Sequence, residues 1–213
     1  MSVMQIIHGL KAISSKEMRR LEKINFKKKK SFFYMEKAGY LVARFVKNKF
    51  DREQLIVVLC GPGNNGGDGF ITAKYLHKWG YNVEVFIFKD KKKYEGDTKI
   101  ALDKFYGNLK TIDKFSLKKK TIVIDALFGI GLKRNIRGKL ANIFSEINKK
   151  NNTVISVDIP SGICADSGKI FGIAIKADYT ITFHSKKKGL ITNSGKKFSG
   201  KIKVVDIGFS KTK

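Results

Sequence analysis

Four short stretches of the chain carry residue types that do chemistry: "GPGNNGGDG" (61–69), "DALFGIGL" (125–132), "VDIPSG" (157–162) and "TFHSKKKG" (182–189). Each closes a run rich in β-branched or aromatic residues, as at the end of a strand, and open α/β sheets bind ligands outside the carboxyl ends of their strands. On that pattern Asn64, Asn65 and Asp68, then Asp125, then Asp158 and Ser161, then His184 and Lys187 converge on one crevice. Several carboxylates gathered beside an anionic ligand repel it and one another unless a cation or a perturbed pKa relieves them. Asn65, Asp125 and Ser161 offer hard oxygen donors, which suit a group I or II cation and not zinc; a monovalent ion fits. Singly, Asp and Ser at such places usually cap turns, but three strand ends with the same chemistry weigh against that. Asp158 stands ahead of Pro160, so an extended backbone on a stiff turn is expected, a platform for a proton-transfer carboxylate. Lys187 either orients that carboxylate or binds a phosphate of the ligand. His184 reads as a rim or packing residue.

Gly61, Gly63 and Gly66 satisfy G-x-G-x-x-G directly after a strand-like run and before a helix-like one, the context in which this weak motif marks a dinucleotide cradle. Glycine lets the backbone turn tightly and approach a pyrophosphate, and a helix start offers unpaired N–H groups. Asp90, after the next strand-like run, stands near the usual ribose carboxylate, which makes a dehydrogenase the first candidate. Followed by three lysines, it reads better as a solvated turn. The continuation "NNGGDG" departs from that fingerprint, with two amides and a carboxylate where small apolar residues are usual. For Asp68, capping the helix that follows is an equal alternative to a role in the site. No G-x-x-x-x-G-K-[ST] sequence is present, which removes kinase-like readings.

These residues need elements to hold them. "SSKEMRRLEKI" and "YMEKAGYLVARFVKNKF" read as helices, a lead-in ahead of the sheet. Strand candidates follow at 55–60, 83–88, 121–129, 153–162, 178–183 and 201–209, with helices over "FITAKYLHKWG" and "GKLANIFSEINKK" between them. Such alternation gives the α/β class, a mostly parallel sheet covered on both faces. With 213 residues, 42% of them hydrophobic, and only two prolines, a single domain over 1–213 is expected, able to bury a core without disulfides or metal. Cys60 and Cys164 show no zinc or disulfide spacing and read as inert thiols. No run approaches the ~20 apolar residues of a membrane span, and no secretory signal is evident, so a soluble intracellular protein is expected. The net charge of +26 attracts polyanions non-specifically. Its lysine runs are scattered without interleaved aromatic motifs, so compositional bias is the preferred reading and no specific nucleic-acid partner is expected.

In order along the chain, "GPGNNGGDG", "DALFGIGL" followed by "IRG", "VDIPSG", "ADSG" and "TITFHSKKKGL" resemble the NAD(P)H-hydrate epimerases, the YjeF N-terminal domain family. The likeness runs from about Ala12, in "AISSKEMRRLE", to Gly208. It implies a Rossmann-like three-layer αβα sandwich and an isomerase that interconverts the R and S hydrates of damaged NADH and NADPH. A partner dehydratase that accepts only the S form then restores the cofactor. It further implies that Asn64, Asn65, Gly66, Gly67 and Asp68, the segment Gly129, Ile130, Gly131, Leu132, Lys133, Arg134 and Asn135, and Asp158 contact the hydrated dinucleotide. By the same carry-over Asn65, Asp125 and Ser161 hold one potassium ion per subunit, and Asp158 and Lys187 form the catalytic pair. The dehydratase is implied as a separate chain, since longer relatives fuse the two and this chain stops three residues after Ser210. Relatives often form homodimers, and a cytoplasmic location is expected. The same fold also serves as the non-catalytic dimerisation domain of an mRNA-decapping enhancer. That RNA-linked alternative suits the positive charge but loses catalytic positions, whereas Asp158, Lys187 and the ion-binding set all stand here.

Overall fold

The computed structural model describes residues 11–210. Helix α1 (Ser15–Phe26) starts at a capping box: the Glu17 N–H donates to the Ser14 hydroxyl and the Ser14 N–H donates to the Glu17 carboxylate, so donors that a helix start leaves orphaned are satisfied. Helix α2 (Ser31–Lys47) buries Tyr34, Ala38, Leu41, Val42 and Phe45, the three- and four-residue spacing of one helical face. There follow β1 (Ile56–Cys60), α3 (Asn64–Lys78), β2 (Val83–Ile87), α4 (Gly96–Asp103), β3 (Asn108–Thr111), β4 (Ile122–Ala126), α5 (Lys139–Lys149), β5 (Thr153–Val157), β6 (Tyr179–Phe183), α6 (Asn193–Phe198) and β7 (Lys201–Val205).

The strands form one sheet in the order β3-β2-β1-β4-β5-β6-β7, every pairing parallel. Successive side chains of a strand face opposite ways. Ile56, Val58 and Cys60 therefore enter the core shared with α1 to α4, while Val57 and Leu59 meet Leu140, Ile143, Phe144 and Ile147 of α5 on the other face. Burial on both faces explains the unbroken apolar runs. It also places α1 and α2 in a layer of the sandwich, so they are more than a lead-in.

The chain starts in the middle of the sheet at β1, moves outward to β3, and returns on the other side of β1 with β4. Such a reversal opens a crevice between the two strands at their carboxyl ends. Gly61 makes the approach possible there: a Cβ on it would stand 1.9 Å from the Leu127 carbonyl oxygen, and one on Gly66 would stand 1.8 Å from the Gly61 carbonyl oxygen. Gly61→Ala is expected to destabilise the fold by about 1–3 kcal/mol through this overpacking, seen as a lower urea midpoint at unchanged m-value.

Among the described residues no helix is long and apolar enough to cross a membrane. Both cysteines are free thiols, Cys60 buried and Cys164 half-buried.

Candidate active site

A cavity of about 580 Å³ opens above the carboxyl ends of β1 and β4. Pro62 to Asn65 and Asp68 form one wall, the segment Gly129 to Arg134 another, and Asp158 and Glu22 contribute carboxyls. Phe26, Tyr34, Phe183 and Phe209 give it an aromatic side. Of the residues carried over as ligand contacts, Gly66, Gly67 and Asn135 are not among those that line it.

Helix α3 begins at Asn64, six residues ahead of its apolar run, with Gly63 as N-cap and no side-chain capping bond. Asp68 therefore lies in the second turn and does not cap the helix, which corrects that alternative. "NNGGDG" has poor helix propensity, yet tertiary packing decides here. A Cβ on Gly67 would meet the Met35 sulfur at 2.5 Å, and one on Gly69 would meet the Ala126 Cβ at 2.6 Å. The glycines let α3 press against α2 and the sheet, and its first N–H groups, orphaned by geometry, stand beside the cavity.

Asp125 is fully buried in β4. Its carboxylate accepts from the Ser161 N–H at 2.8 Å, the Ser161 hydroxyl at 2.5 Å and the Ser156 hydroxyl at 2.9 Å. Burial pushes its pKa up, and these hydrogen bonds pull it back. The Ser161 hydroxyl oxygen also accepts from the Phe128 N–H at 2.9 Å, locking the segment after β4 to the one after β5. Asn65 stands against that segment, its Oδ1 3.4 Å from where Gly129 would carry a Cβ. Both polar atoms of the Asn65 amide are buried without a hydrogen-bond partner among the described residues, an exception among buried polar groups. No cluster of three or more His, Cys, Asp or Glu side chains with metal-binding geometry occurs among the described residues.

Asp158 does not take the extended backbone expected of it: its φ is +65°, in the left-handed region. The proline rule acts on the residue directly before proline, which is Ile159. A non-glycine residue in this region costs of order 1 kcal/mol or more, and it persists where surrounding bonds dictate it. Here the Asp158 N–H donates to the Ile181 carbonyl at 2.8 Å. Its Oδ1 accepts from Lys187 Nζ, from the Thr182 hydroxyl at 3.0 Å and from the Phe183 N–H at 3.4 Å. Oδ2 has no donor among the described residues.

Lys187 is fully buried and also donates to Thr182 Oγ1 at 3.0 Å and the Phe183 carbonyl at 3.1 Å. Of its two sequence readings, orienting Asp158 is the one the geometry favours. Its loop is tied down from both sides, by the Ile13 N–H donating to the Lys186 carbonyl and the Lys188 N–H donating to the Ile13 carbonyl, each at 2.9 Å. His184 packs against Phe209 with ring centroids 5.6 Å apart, and burial lowers its pKa, as befits a packing residue.

Glu22 was missed by sequence reasoning, because nothing in a solvated-looking helix says that its inner face reaches the strand ends. Neither Glu22 nor the half-buried Asp68 has a side-chain hydrogen bond or ion pair among the described residues. Burial raises both pKa values, Asp68 well above the usual carboxylate range, and the Asp158 charge raises them further. A folded-state value above the unfolded one means that the contribution of Asp68 to stability is complete below the ordinary carboxylate range and is lost as pH rises through its raised value. Asp68→Asn is expected to flatten that part of the stability curve, measured by urea unfolding at stepped pH.

Residues 32–189 match the model of the family described as YjeF-related protein N-terminus. A protein of Limosilactobacillus fermentum named NAD(P)H-hydrate epimerase is 35% identical over 178 residues, covering 83% of this chain and 86% of that protein. One of Dictyoglomus turgidum, named bifunctional NAD(P)H-hydrate repair enzyme Nnr, is 38% identical over 209 residues, covering 93% of this chain but 40% of its own length. The crystal structure of yeast ynu0, YNL200c superposes with a TM-score of 0.73 at 28% identity, covering 84% of this chain and 83% of that one.

Proposed function

The chain belongs to the YjeF-related N-terminal family, and we propose that its strand-end cavity epimerises the R and S hydrates of NADH and NADPH, an isomerase step in nicotinamide cofactor repair. The observation that carries this reading is the state of Asp158: Oδ1 is saturated by Lys187, Thr182 and Phe183, while Oδ2 has no donor among the described residues, on a residue that lines the cavity. In the hydrate, the hydroxyl sits on the ring carbon next to nitrogen. That carbinolamine centre inverts when the hydroxyl leaves as water with acid assistance and water returns on the other face with base assistance. Asp158 is the base, Lys187 pairs with it and orients it, and no hydride moves. A dehydrogenase gives no account of a carboxylate prepared in this way.

The start of α3 and the basic residues Lys133 and Arg134 are suited to the pyrophosphate. Asn65, Asp125 and Ser161 are suited to potassium: among the described residues the Asn65 amide oxygen lacks a partner, and Asp125 is a buried carboxylate with no ion pair. When bound, the ion neutralises Asp125 and supplies positive potential beside the ligand's phosphates. We further infer a dehydratase as the next enzyme, in keeping with a relative named a bifunctional NAD(P)H-hydrate repair enzyme, a homodimer, and a cytoplasmic site of action, where the soluble cofactor is.

The test mixes the protein with the slowly equilibrating R hydrate and follows the isomer ratio by chromatography, in potassium chloride and in choline chloride. Faster equilibration than in buffer is expected, with a higher melting temperature in potassium. Equilibration no faster than in buffer in either salt rules out the activity. A melting temperature indifferent to the cation rules out the ion site.

A further inference from the structure

Inversion through a planar cation needs two proton carriers, one to give a proton and one to take it, and Asp158 paired with Lys187 supplies only the acceptor. We propose that Glu22, carried into the cavity by α1, is the second carrier, the acid that protonates the departing hydroxyl. This rests on the epimerase reading above.

Three observations support it. Glu22 lines the same cavity as Asp158, and its carboxyl has no hydrogen bond or ion pair among the described residues, so both oxygens are available. Its surroundings favour the neutral acid: burial acts first and the Asp158 charge second, outweighing the Lys187 and Arg19 charges that act the other way. Finally, α1 is fixed in place by the Ser15 N–H and hydroxyl, which both donate to Asp166 at 2.6 Å, so the carboxyl is presented by an anchored element. The remaining charged groups around the cavity are Asp68, Asp97, Lys133 and Arg134, and the Glu17–Lys188 pair lies toward the start of α1.

Asp68 is the competing acid. Burial raises its pKa too, but it sits in the second turn of α3, behind the helix start suited to the pyrophosphate, which leaves Glu22 as the carboxyl outside that phosphate wall. In the forward step Glu22 gives its proton to the hydroxyl, the C–O bond breaks, water leaves, and the nitrogen lone pair forms the C=N bond of the cation. Water then adds on the other face and loses a proton to Asp158. Exchange of one proton through solvent returns Glu22 to the acid and Asp158 to the base, and the reverse isomerisation uses the same two groups in exchanged roles.

The experiment compares wild type, Glu22→Gln and Glu22→Asp over a range of pH in the isomer-ratio assay, with a melting curve for each. Wild-type rate is expected to fall as pH rises through the Glu22 titration. Glu22→Gln is expected to lose about 10²-fold or more at neutral pH and with it that alkaline limb, while Glu22→Asp keeps the limb at a rate at least about tenfold down, a shift well within the cost of misplacing a reacting group. A wild-type rate and an intact limb in Glu22→Gln overturn the proposal and pass the role to Asp68, which Asp68→Asn then checks. Should the Gln variant fail to fold, a wild-type rate in Glu22→Asp overturns it. No acceleration by wild type itself is a different failure: it removes the epimerase reading, and this inference with it.

Discussion

Asp158→Asn is expected to slow catalysed interconversion of the hydrate isomers about 10²- to 10⁴-fold, the range general acid-base assistance supplies, while the chain keeps its fold. Asparagine has the shape of aspartate and its amide oxygen still accepts the bonds that Oδ1 takes from Thr182 and the Phe183 N–H. What it lacks is basicity, so water returning to the ring finds no group to take its proton. The buried Lys187 ammonium also loses its counter-charge, and its bonds to Thr182 and the Phe183 carbonyl offset only part of that. A lower melting temperature with unchanged far-UV circular dichroism is therefore expected, and rates belong well below that temperature. A variant as fast as wild type removes Asp158 from the chemistry.

Much of this arrangement is legible in the letters. The strand runs from 55 to 209 predicted the strands that carry the site because burial on both faces writes them as continuous apolar stretches. The convergence of Asn65, Asp125, Asp158 and Ser161 on neighbouring strand ends follows from parallel topology alone. The β3 edge strand "NLKT" is mostly half-exposed or exposed and carries no apolar run, so nothing marked it. The start of α3 was misplaced for the opposite reason: six residues of low propensity are helical because only glycine lets that turn pack on Met35 and Ala126. The left-handed turn at Asp158 is set by the Ile181 and Lys187 contacts from β6 and beyond, which no local rule describes. Glu22 belongs to the same class. Its role arises from where α1 docks, and docking is a property of the whole fold.

Lys187→Met is expected to lower stability by about 3–5 kcal/mol, the usual cost of stripping one partner from a buried ion pair, and to reduce the epimerisation rate as well. Lysine 187 is fully buried and makes three side-chain bonds, so methionine fills much of the volume but leaves the Asp158 carboxylate without its cation and Thr182 without a donor. Arginine is a poor substitute, because its planar fork needs more room than this enclosed position allows. The double variant Asp158→Asn/Lys187→Met separates the two contributions. With both charges gone, no unpaired ion remains in the interior, so urea unfolding should show it more stable than the sum of the single losses predicts. Its activity should stay as low as that of Asp158→Asn. A double variant whose stability loss is simply additive means that the pair is not coupled, and that Lys187 serves the loop it sits in and does not hold Asp158 ready.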